Sequence, residues 1–397
     1  MTDLNELVAP HGVEHFLDAV WGRHAKVFPG PDDRFAELLP WSALNELLRR
    51  HRLETPRLRL ARDGDRLPVE SYSTTVTPRR GPAYARLDPV KLASTIADGS
   101  TLVIDSIDEL HGPIDELAGD LERVLRERVQ VNCYASFTRT HGFDTHWDDH
   151  DVLVVQVHGR KHWRLFGPTR RHPTHRDVEH PEPPTGEPEL DVVLEAGDVL
   201  HMPRGCWHDA NALDGPSLHL TFGINCATGV DFAAWAADEL RRHEIARQNL
   251  PRFADEESKG QRVKELAELI AAEFADGDAL ERFFTDRDVT AVPRGGVAFP
   301  FSVTGELPEP SSEAAARLRF RLVVPRAILT EREKTVELAG DGNRYTFASA
   351  AAPVLRELIS GEERALDHLV AASGGLSAGT VRTLCMDLIR RGLLTAN

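Results

Sequence analysis

Thr145-His146-Trp147-Asp148-Asp149-His150-Asp151-Val152-Leu153-Val154-Val155-Gln156-Val157-His158-Gly159-Arg160-Lys161-His162-Trp163-Arg164-Leu165-Phe166 is the stretch on which the reading of this chain turns. It opens with polar side chains able to bind a metal and runs on as a Val/Leu strand. It then turns at Gly159-Arg160 and returns as a second strand carrying Lys161, Trp163 and Leu165. That pattern predicts a β-hairpin with chemistry at its open end. Alternate side chains of an extended chain share a face, so His146 and Asp148 project one way and Trp147 the other.

Working outward, a third ligand is offered by Glu195-Ala196-Gly197-Asp198-Val199-Leu200-His201-Met202-Pro203-Arg204-Gly205-Cys206-Trp207-His208. Gly197-Asp198 reads as a turn, Val199 to Met202 as a short strand, and Pro203-Arg204-Gly205 as a second turn that delivers His208. Two histidines and one carboxylate on one face leave the opposite coordination positions open, the arrangement of non-haem Fe(II) oxygenases. Zinc is compatible with the same residues, and three ligands plus a water would also suit hydrolysis. His141, His158, His162, His172, His175 and His180 read as ordinary core or surface histidines.

Core strands are expected at Val129 to Ala135, Val152 to Val157, Lys161 to Phe166, Asp191 to Leu194, Val199 to Met202 and Leu218 to Ile224. Short strands with turn signals and no intervening helices predict a double-stranded jelly roll, in which inward side chains from different strands converge at one mouth. A lysine on such a strand, Lys161, needs an anionic partner to be buried. Pro168 to His175 lies between core strands and reads as a loop, placed where a substrate lid would sit.

These motifs resemble the JmjC-type cupin oxygenases that use Fe(II), 2-oxoglutarate and O2, and within them the ribosomal oxygenase branch. The resemblance rests on His146-Trp147-Asp148, on Gly159 to Leu165, on Met202 to His208, on Ser217-Leu218-His219-Leu220-Thr221 and on Gln130 to Tyr134. It extends more loosely over Phe16 to Leu48. It implies that His146, Asp148 and His208 hold iron, that Lys161 pairs with the distal carboxylate of 2-oxoglutarate, and that Asn132 and Tyr134 line the cosubstrate pocket. Trp147 stands where tyrosine is usual in that family. The resemblance also implies a homodimer, a basic or ribosomal protein as substrate, and a winged-helix-like C-terminal domain used structurally.

Composition bounds the alternatives. With 397 residues, 41% hydrophobic and 28% charged, the chain is a globular protein of two or three domains. It has no apolar stretch of membrane-spanning length, and its N-terminus lacks the basic and apolar regions of a signal peptide, so a cytoplasmic location is expected. The four cysteines lack CxxC spacing and suggest neither disulfides nor a zinc ribbon. A net charge of −16 disfavours a broad nucleic-acid surface and favours basic partners. Asp144, Asp149, Asp151 and Asp209 crowd the ligands and are expected to form an acidic rim that attracts arginine, lysine or histidine.

In chain order, helices are expected at Val13 to Val20, Trp41 to Leu48 and Asp88 to Ala97, and from Pro113 with a buried stripe of Ile114, Leu117, Leu121 and Val124/Leu125. Strands are expected at Arg57 to Ala61 and Thr101 to Ile104, the whole forming decoration around the barrel. After Ile224 the pattern becomes helical, with Phe232, Trp235, Ala236 and Leu240 on one face and Val263, Leu266, Leu269/Ile270 and Phe274 on another. Pro293 to Pro310 marks a boundary. Strand-like Phe320 to Val324 and Arg344 to Phe347 then alternate with helices near Ala351 to Ile359, Glu363 to Ala372 and Thr380 to Arg391, the last N-capped by Ser377. Asp387 among Arg382, Arg390 and Arg391 argues against DNA binding by that last helix.

The resulting class is α+β. A double-stranded β-helix (jelly-roll, cupin/JmjC) barrel at 1–228 is followed by a helical dimerisation module at 229–295 and a winged-helix-like domain at 296–397. The function expected is Fe(II)- and 2-oxoglutarate-dependent hydroxylation of a protein side chain, arginine or histidine. The alternatives are a hydroxylase of a peptide or natural-product precursor and a metal-binding cupin regulator without turnover.

Overall fold

The computed structural model describes residues 2–140, 142–174, 182–213, 215–309 and 312–397. They fall into two compact units, Met1–Cys226 and Ala227–Asn397. Before the motif, the first unit contains β1 (Lys26–Phe28), β2 (Leu58–Arg62), β3 (Asp65–Arg66), β4 (Ser73–Val76), β5 (Tyr84–Leu87) and β6 (Thr101–Ile104). From there on it contains β7 (Arg128–Ser136), β8 (Asp151–His158), β9 (Lys161–Gly167), β10 (Leu190–Leu194), β11 (Val199–Met202), β12 (Trp207–Ala212) and β13 (Ser217–Asn225). Helices α1 (Trp41–Arg50), α2 (Pro89–Ala97) and α3 (Gly112–Leu125) lie where the apolar spacing placed them. The first expected helix starts as a turn of α-helix at Val13–His15 and continues as a π-turn over Phe16–Val20.

Two sheets pack face to face. The larger runs in the order β1-β11-β8-β13-β7-β6-β2-β3 and the smaller β10-β9-β12. Val152, Val154, Leu200 and Met202 from the larger sheet join Trp163, Leu165 and Leu194 from the smaller in one buried cluster, which is the interior of the jelly roll. The opposite face of the larger sheet carries Val131, Cys133, Ala135, Leu153, Val155, Leu220 and Phe222. These pack with Ile114, Leu117 and Leu121 of α3. Of the Val124/Leu125 pair expected to end the stripe of α3, Leu125 packs against this core while Val124 is 45% exposed. β6 and β2 extend the larger sheet, through Ile104↔Cys133 and Leu58↔Ile104, and are part of the core scaffold.

The expected hairpin is not one. Both edges of β8 are taken within the larger sheet, by β11 and β13, while β9 pairs with β10 and β12 in the smaller. Gly159, at φ +67°, carries the chain across from one sheet to the other. A hydrophobic strand followed by a Gly turn and an alternating strand is locally the same for a hairpin and for such a crossing, and only the long-range pairing decides. A Cβ on Gly159 would lie 2.0 Å from the Pro216 carbonyl oxygen. Gly159→Ala is therefore expected to destabilise the first unit by about 2–4 kcal/mol, read as a lower urea midpoint at unchanged slope. A midpoint equal to wild type would show that the crossing tolerates a side chain.

β12 has no expected counterpart. Trp207-His208-Asp209-Ala210-Asn211-Ala212 lacks β-branched residues, and pairing with β9 through Asp209↔Arg164 and Asn211↔His162 makes it a strand. A bulge between Trp207 and His208 re-aims the histidine at its start.

The second unit begins with α4 (Gly229–Glu239), α5 (Glu256–Ala275) and α6 (Ala279–Val289), of which α6 was not anticipated. Further on come β14 (Arg319–Leu322), β15 (Ile328–Glu331), β16 (Thr335–Gly340) and β17 (Asn343–Ala348). Helices α7 (Ala352–Ile359), α8 (Leu366–Ala372) and α9 (Ala378–Arg390) follow. Ser377 caps α9 by accepting the Thr380 N–H, as expected. Among the described residues no helix is long and apolar enough to cross a membrane.

Candidate metal and cosubstrate site

His146 lies in the loop before β8, and His208 opens β12. Their backbones exchange two hydrogen bonds, His146 N–H to His208 C=O at 3.0 Å and His208 N–H to His146 C=O at 2.8 Å. The loop continues to Asp148, whose carbonyl accepts the Gly205 N–H at 2.8 Å, so two segments distant in sequence are zipped side by side. Each imidazole is oriented by its own neighbourhood. His146 Nδ1 bonds the Asp144 carbonyl at 2.8 Å and His208 Nδ1 bonds the Cys206 carbonyl at 3.0 Å. With Nδ1–H donated, Nε2 is left as an acceptor on both rings, the usual second-sphere arrangement around a metal. The ring centroids are 4.4 Å apart, and His208 Nε2 is 3.9 Å from an Asp148 carboxylate oxygen. One ligand atom from each of His146, Asp148 and His208 lies within 4.8 Å of the others, as the HxD…H spacing implied. Burial, and then the nearby His146, hold the His208 imidazole below its ordinary value, so it is neutral as a ligand must be.

β9 lays Lys161, Trp163 and Leu165 on its buried face and His162, Arg164 and Phe166 on the other. Lys161 is 6% exposed and its ammonium makes no hydrogen bond or ion pair with any described residue. Burial alone pulls its pKa from 10.5 down to about 7. Across the interior, Asn132 and Tyr134 alternate with the core residues of β7. Asn132 Oδ1 accepts the Ser106 N–H at 3.0 Å. Burial, then the Asp148 charge, push the Tyr134 phenol up to about 12, so it stays a neutral donor. Rings link the two ends of the site. His208 is 5.9 Å from Trp163, Trp163 is 5.5 Å from His219, and His219 stacks on Tyr134 at 4.9 Å. One end thus offers two imidazoles and a carboxylate to a cation, and the other a lysine with no partner among the described residues to an anion. A metal-chelating anion with a second carboxylate matches both.

The JmjC domain profile matches residues 110–232, which span both sheets and all three converging side chains. Residues 110–232 form a JmjC domain. Relatives of the chain include ribosomal oxygenase 1 of Gallus gallus, 30% identical over 220 residues, which cover 54% of this chain and 35% of that protein. Another is the bifunctional lysine-specific demethylase and histidyl-hydroxylase NO66 of Drosophila mojavensis, 28% identical over 230 residues, 56% of this chain and 24% of that one. The chain thus spans about a quarter to a third of the length of these curated relatives. Among solved structures, Escherichia coli ribosomal oxygenase YcfD superposes with a TM-score of 0.60 at 16% identity, covering 97% of this chain and 98% of that one. YcfD in complex with cobalt and 2-oxoglutarate superposes at 0.58, again at 16% identity. At that identity the likeness establishes a shared fold.

The partners of the aspartates around this site were not foreseen from the sequence. Asp209, 2% exposed, is gripped by Arg164 through two hydrogen bonds of 2.9 and 2.8 Å and accepts the Thr145 hydroxyl at 3.2 Å. It ties β12, next to His208, to the residue before His146. The expected acidic rim is accordingly smaller: Asp209 is neutralised, and Asp151, 5% exposed, accepts the Arg204 N–H at 3.0 Å. Asp144 and Asp149 remain at the loop surface. Asp209→Asn is expected to lower metal affinity about tenfold by freeing Thr145 and the His146 loop. Calorimetric Mn(II) titration checks this, and an unchanged affinity would assign Asp209 to fold stability alone.

The other histidines behave as read where they are described. His158 hydrogen-bonds the Leu39 carbonyl and stacks on Trp41, and His162 pairs with Asp191 at 2.6 Å. His141, His175 and His180 lie outside the described residues, and with His175 the end of the Pro168–His175 loop. At the start of that loop Thr169 accepts the Trp207 indole N–H at 2.8 Å.

Proposed function

We propose that this protein is an Fe(II)- and 2-oxoglutarate-dependent oxygenase that hydroxylates a side chain of a protein, with a ribosomal protein as substrate. The observation that carries the reading is Lys161, a buried ammonium with no counter-ion among the described residues, in the same interior as a His-Asp-His cluster. A bare buried charge is costly, and a dicarboxylate chelated at the cluster supplies its partner. His146, Asp148 and His208 would hold the iron. Lys161 would take the distal carboxylate of 2-oxoglutarate, with Asn132 and Tyr134 along its length. When bound, iron, 2-oxoglutarate and O2 would supply the oxidation of an unactivated C–H bond, with release of succinate and CO2. The chain itself fixes both imidazole tautomers, fills the space beside the cluster with Trp163, Leu165 and Val154, and so keeps bulk water from the buried end. Zinc bound at the same ligands would leave Lys161 unpaired, as would a regulator without turnover.

The relatives named as ribosomal oxygenase and histidyl-hydroxylase support a ribosomal substrate and, of the two expected targets, histidine. Asp144 and Asp149 at the loop surface suit such a basic partner. We read the domains as a catalytic JmjC/cupin domain at 1–228, a dimerisation module at 229–295 and a winged-helix-like domain at 296–397. Homodimerisation through 229–295 is supported by α5, whose buried residue among twenty is Glu273 while Val263, Ile270 and Phe274 are 42–66% exposed. A structural role for α9 is supported by its arginines. Arg382 bonds the Leu307 carbonyl, Arg390 the Gly305 carbonyl and Arg391 the Asp387 carboxylate, which leaves little for DNA phosphates. Four unpaired cysteines fit the reducing cytoplasm.

Anaerobic Fe(II) and 2-oxoglutarate should together produce a visible metal-to-ligand charge-transfer band. Aerobic incubation with ribosomal proteins should release succinate and add one oxygen atom to one side chain. No band from the wild-type protein would sink the oxygenase reading, whereas a band without a modified ribosomal protein would leave the chemistry and redirect the substrate.

A further inference from the structure

Ser217-Leu218-His219-Leu220-Thr221 belongs to β13, where Leu218, Leu220, Phe222 and Ile224 enter the core shared with α3. By alternation His219 and Thr221 face the other way, into the jelly-roll interior. His219 is 3% exposed and pairs across the strands with Tyr134, their rings stacked at 4.9 Å and 3°. Trp163, from the facing sheet, meets it edge-on at 5.5 Å and 81°. His219 Nδ1 is shielded from water with no hydrogen-bond partner among the described residues, and so is the Trp163 indole nitrogen. Lys161, two residues from Trp163 on the same face of β9, is likewise unpaired. Buried polar groups of folded proteins are nearly always satisfied, and three unpaired nitrogen groups in one interior point to an acceptor that arrives with a ligand.

The charges agree. Burial, then the Lys161 ammonium, hold the His219 imidazole well below its ordinary value, so it is neutral. One cation and a neutral ring N–H balance one carboxylate, with two oxygens for two donors, whereas two adjacent cations would not.

Resting on the function proposed above, we infer that His219 is a second binding residue for the distal carboxylate of the cosubstrate, donating a ring N–H to one oxygen while Lys161 holds the other. The pair makes the site selective for dicarboxylates, because a chelator without the distal arm leaves both groups unanswered.

The test is calorimetric titration of the Mn(II)-loaded protein with 2-oxoglutarate and, separately, with oxalate, which chelates metal and lacks the distal arm. His219→Phe keeps the stack on Tyr134 and removes the donor. It is expected to weaken 2-oxoglutarate binding by about ten- to a hundredfold and to leave oxalate within about twofold. His219→Gln, which restores a donor, should recover most of the loss. If phenylalanine is not accommodated, His219→Leu takes its place. Unchanged 2-oxoglutarate affinity in the donor-less variant, or an equal loss for both ligands, overturns the assignment. In the first case a loss in Lys161→Ala leaves the proposed function standing, while a wild type that takes oxalate but no 2-oxoglutarate removes both.

Discussion

Asp148→Ala is expected to abolish metal uptake: affinity for Fe(II) or Mn(II) should fall by more than about a hundredfold, since loss even of a group that merely orients a ligand costs ten- to a hundredfold. Asp148 is the carboxylate of the cluster, and without it two imidazoles face a dication with no compensating charge. The change should leave the fold intact. The hydrogen bond that ties this loop to the next turn uses the Asp148 carbonyl, which alanine keeps, and the His146–His208 bridge is also made by backbone. Calorimetry and the charge-transfer band read metal uptake, and circular dichroism reads the fold. Metal binding within tenfold of wild type would place the ion elsewhere.

Lys161→Ala should separate cosubstrate from metal. Mn(II) affinity is expected to stay within about threefold of wild type while 2-oxoglutarate affinity falls by about a hundredfold, as a buried charge-assisted contact is lost. A pH signature accompanies it in the wild type. The unliganded Lys161 has a pKa of about 7, and a carboxylate beside it raises that value, so above pH 7 binding must take up a proton. Affinity should therefore be insensitive to pH just below 7 and fall by up to tenfold per unit above it. The neighbouring His219, held neutral through this range, adds no opposing step. The stability of the unliganded protein should move the other way. The unfolded lysine keeps its proton up to about 10.5 and the folded one does not, so stability rises as pH increases from 7 towards 10. Equal affinities at pH 6.5 and pH 9 would show that Lys161 is not the group the ligand meets.

The convergence of His146, Asp148 and His208 was legible because its signals are local. His146 and Asp148 are separated by one residue, and His208 follows a Gly-Asp turn, a short strand and a Pro-Arg-Gly turn whose residues announce themselves. The sheet partners were not legible, since Gly159 looks the same in a hairpin and in a crossing between sheets. β12 was missed because its polar sequence is made a strand by the partner it finds. Asp209 was read as part of an acidic rim, and only the β9–β12 register reveals Arg164 opposite it. His219 stood inside a quoted motif, yet period-2 alternation says only that it faces one side, and which side is the interior depends on where α3 packs. In the second unit β17 was read at Arg344 to Phe347, and its partner β16 could have been foreseen too. Asp341-Gly342, both at positive φ, is a two-residue hairpin turn between alternating strands.

The crossing at Gly159 has a further effect on what the protein can accept. Asn132, Tyr134 and His219 belong to one sheet and Lys161, Trp163 and His208 to the other, so the cosubstrate would bridge two separately hydrogen-bonded layers. The gap between them is a calliper whose setting is fixed by the side chains that keep the layers apart, among them Val154, Leu165, Leu200 and Met202. Sheets packed face to face stand about 10 Å apart, and a methylene more or less at those positions changes the spacing by tenths of an ångström. Apolar residues that touch no ligand therefore gauge the length of the acid the site admits, and selection for a longer or shorter cosubstrate would act on the filling between the layers before it acted on the groups that bind.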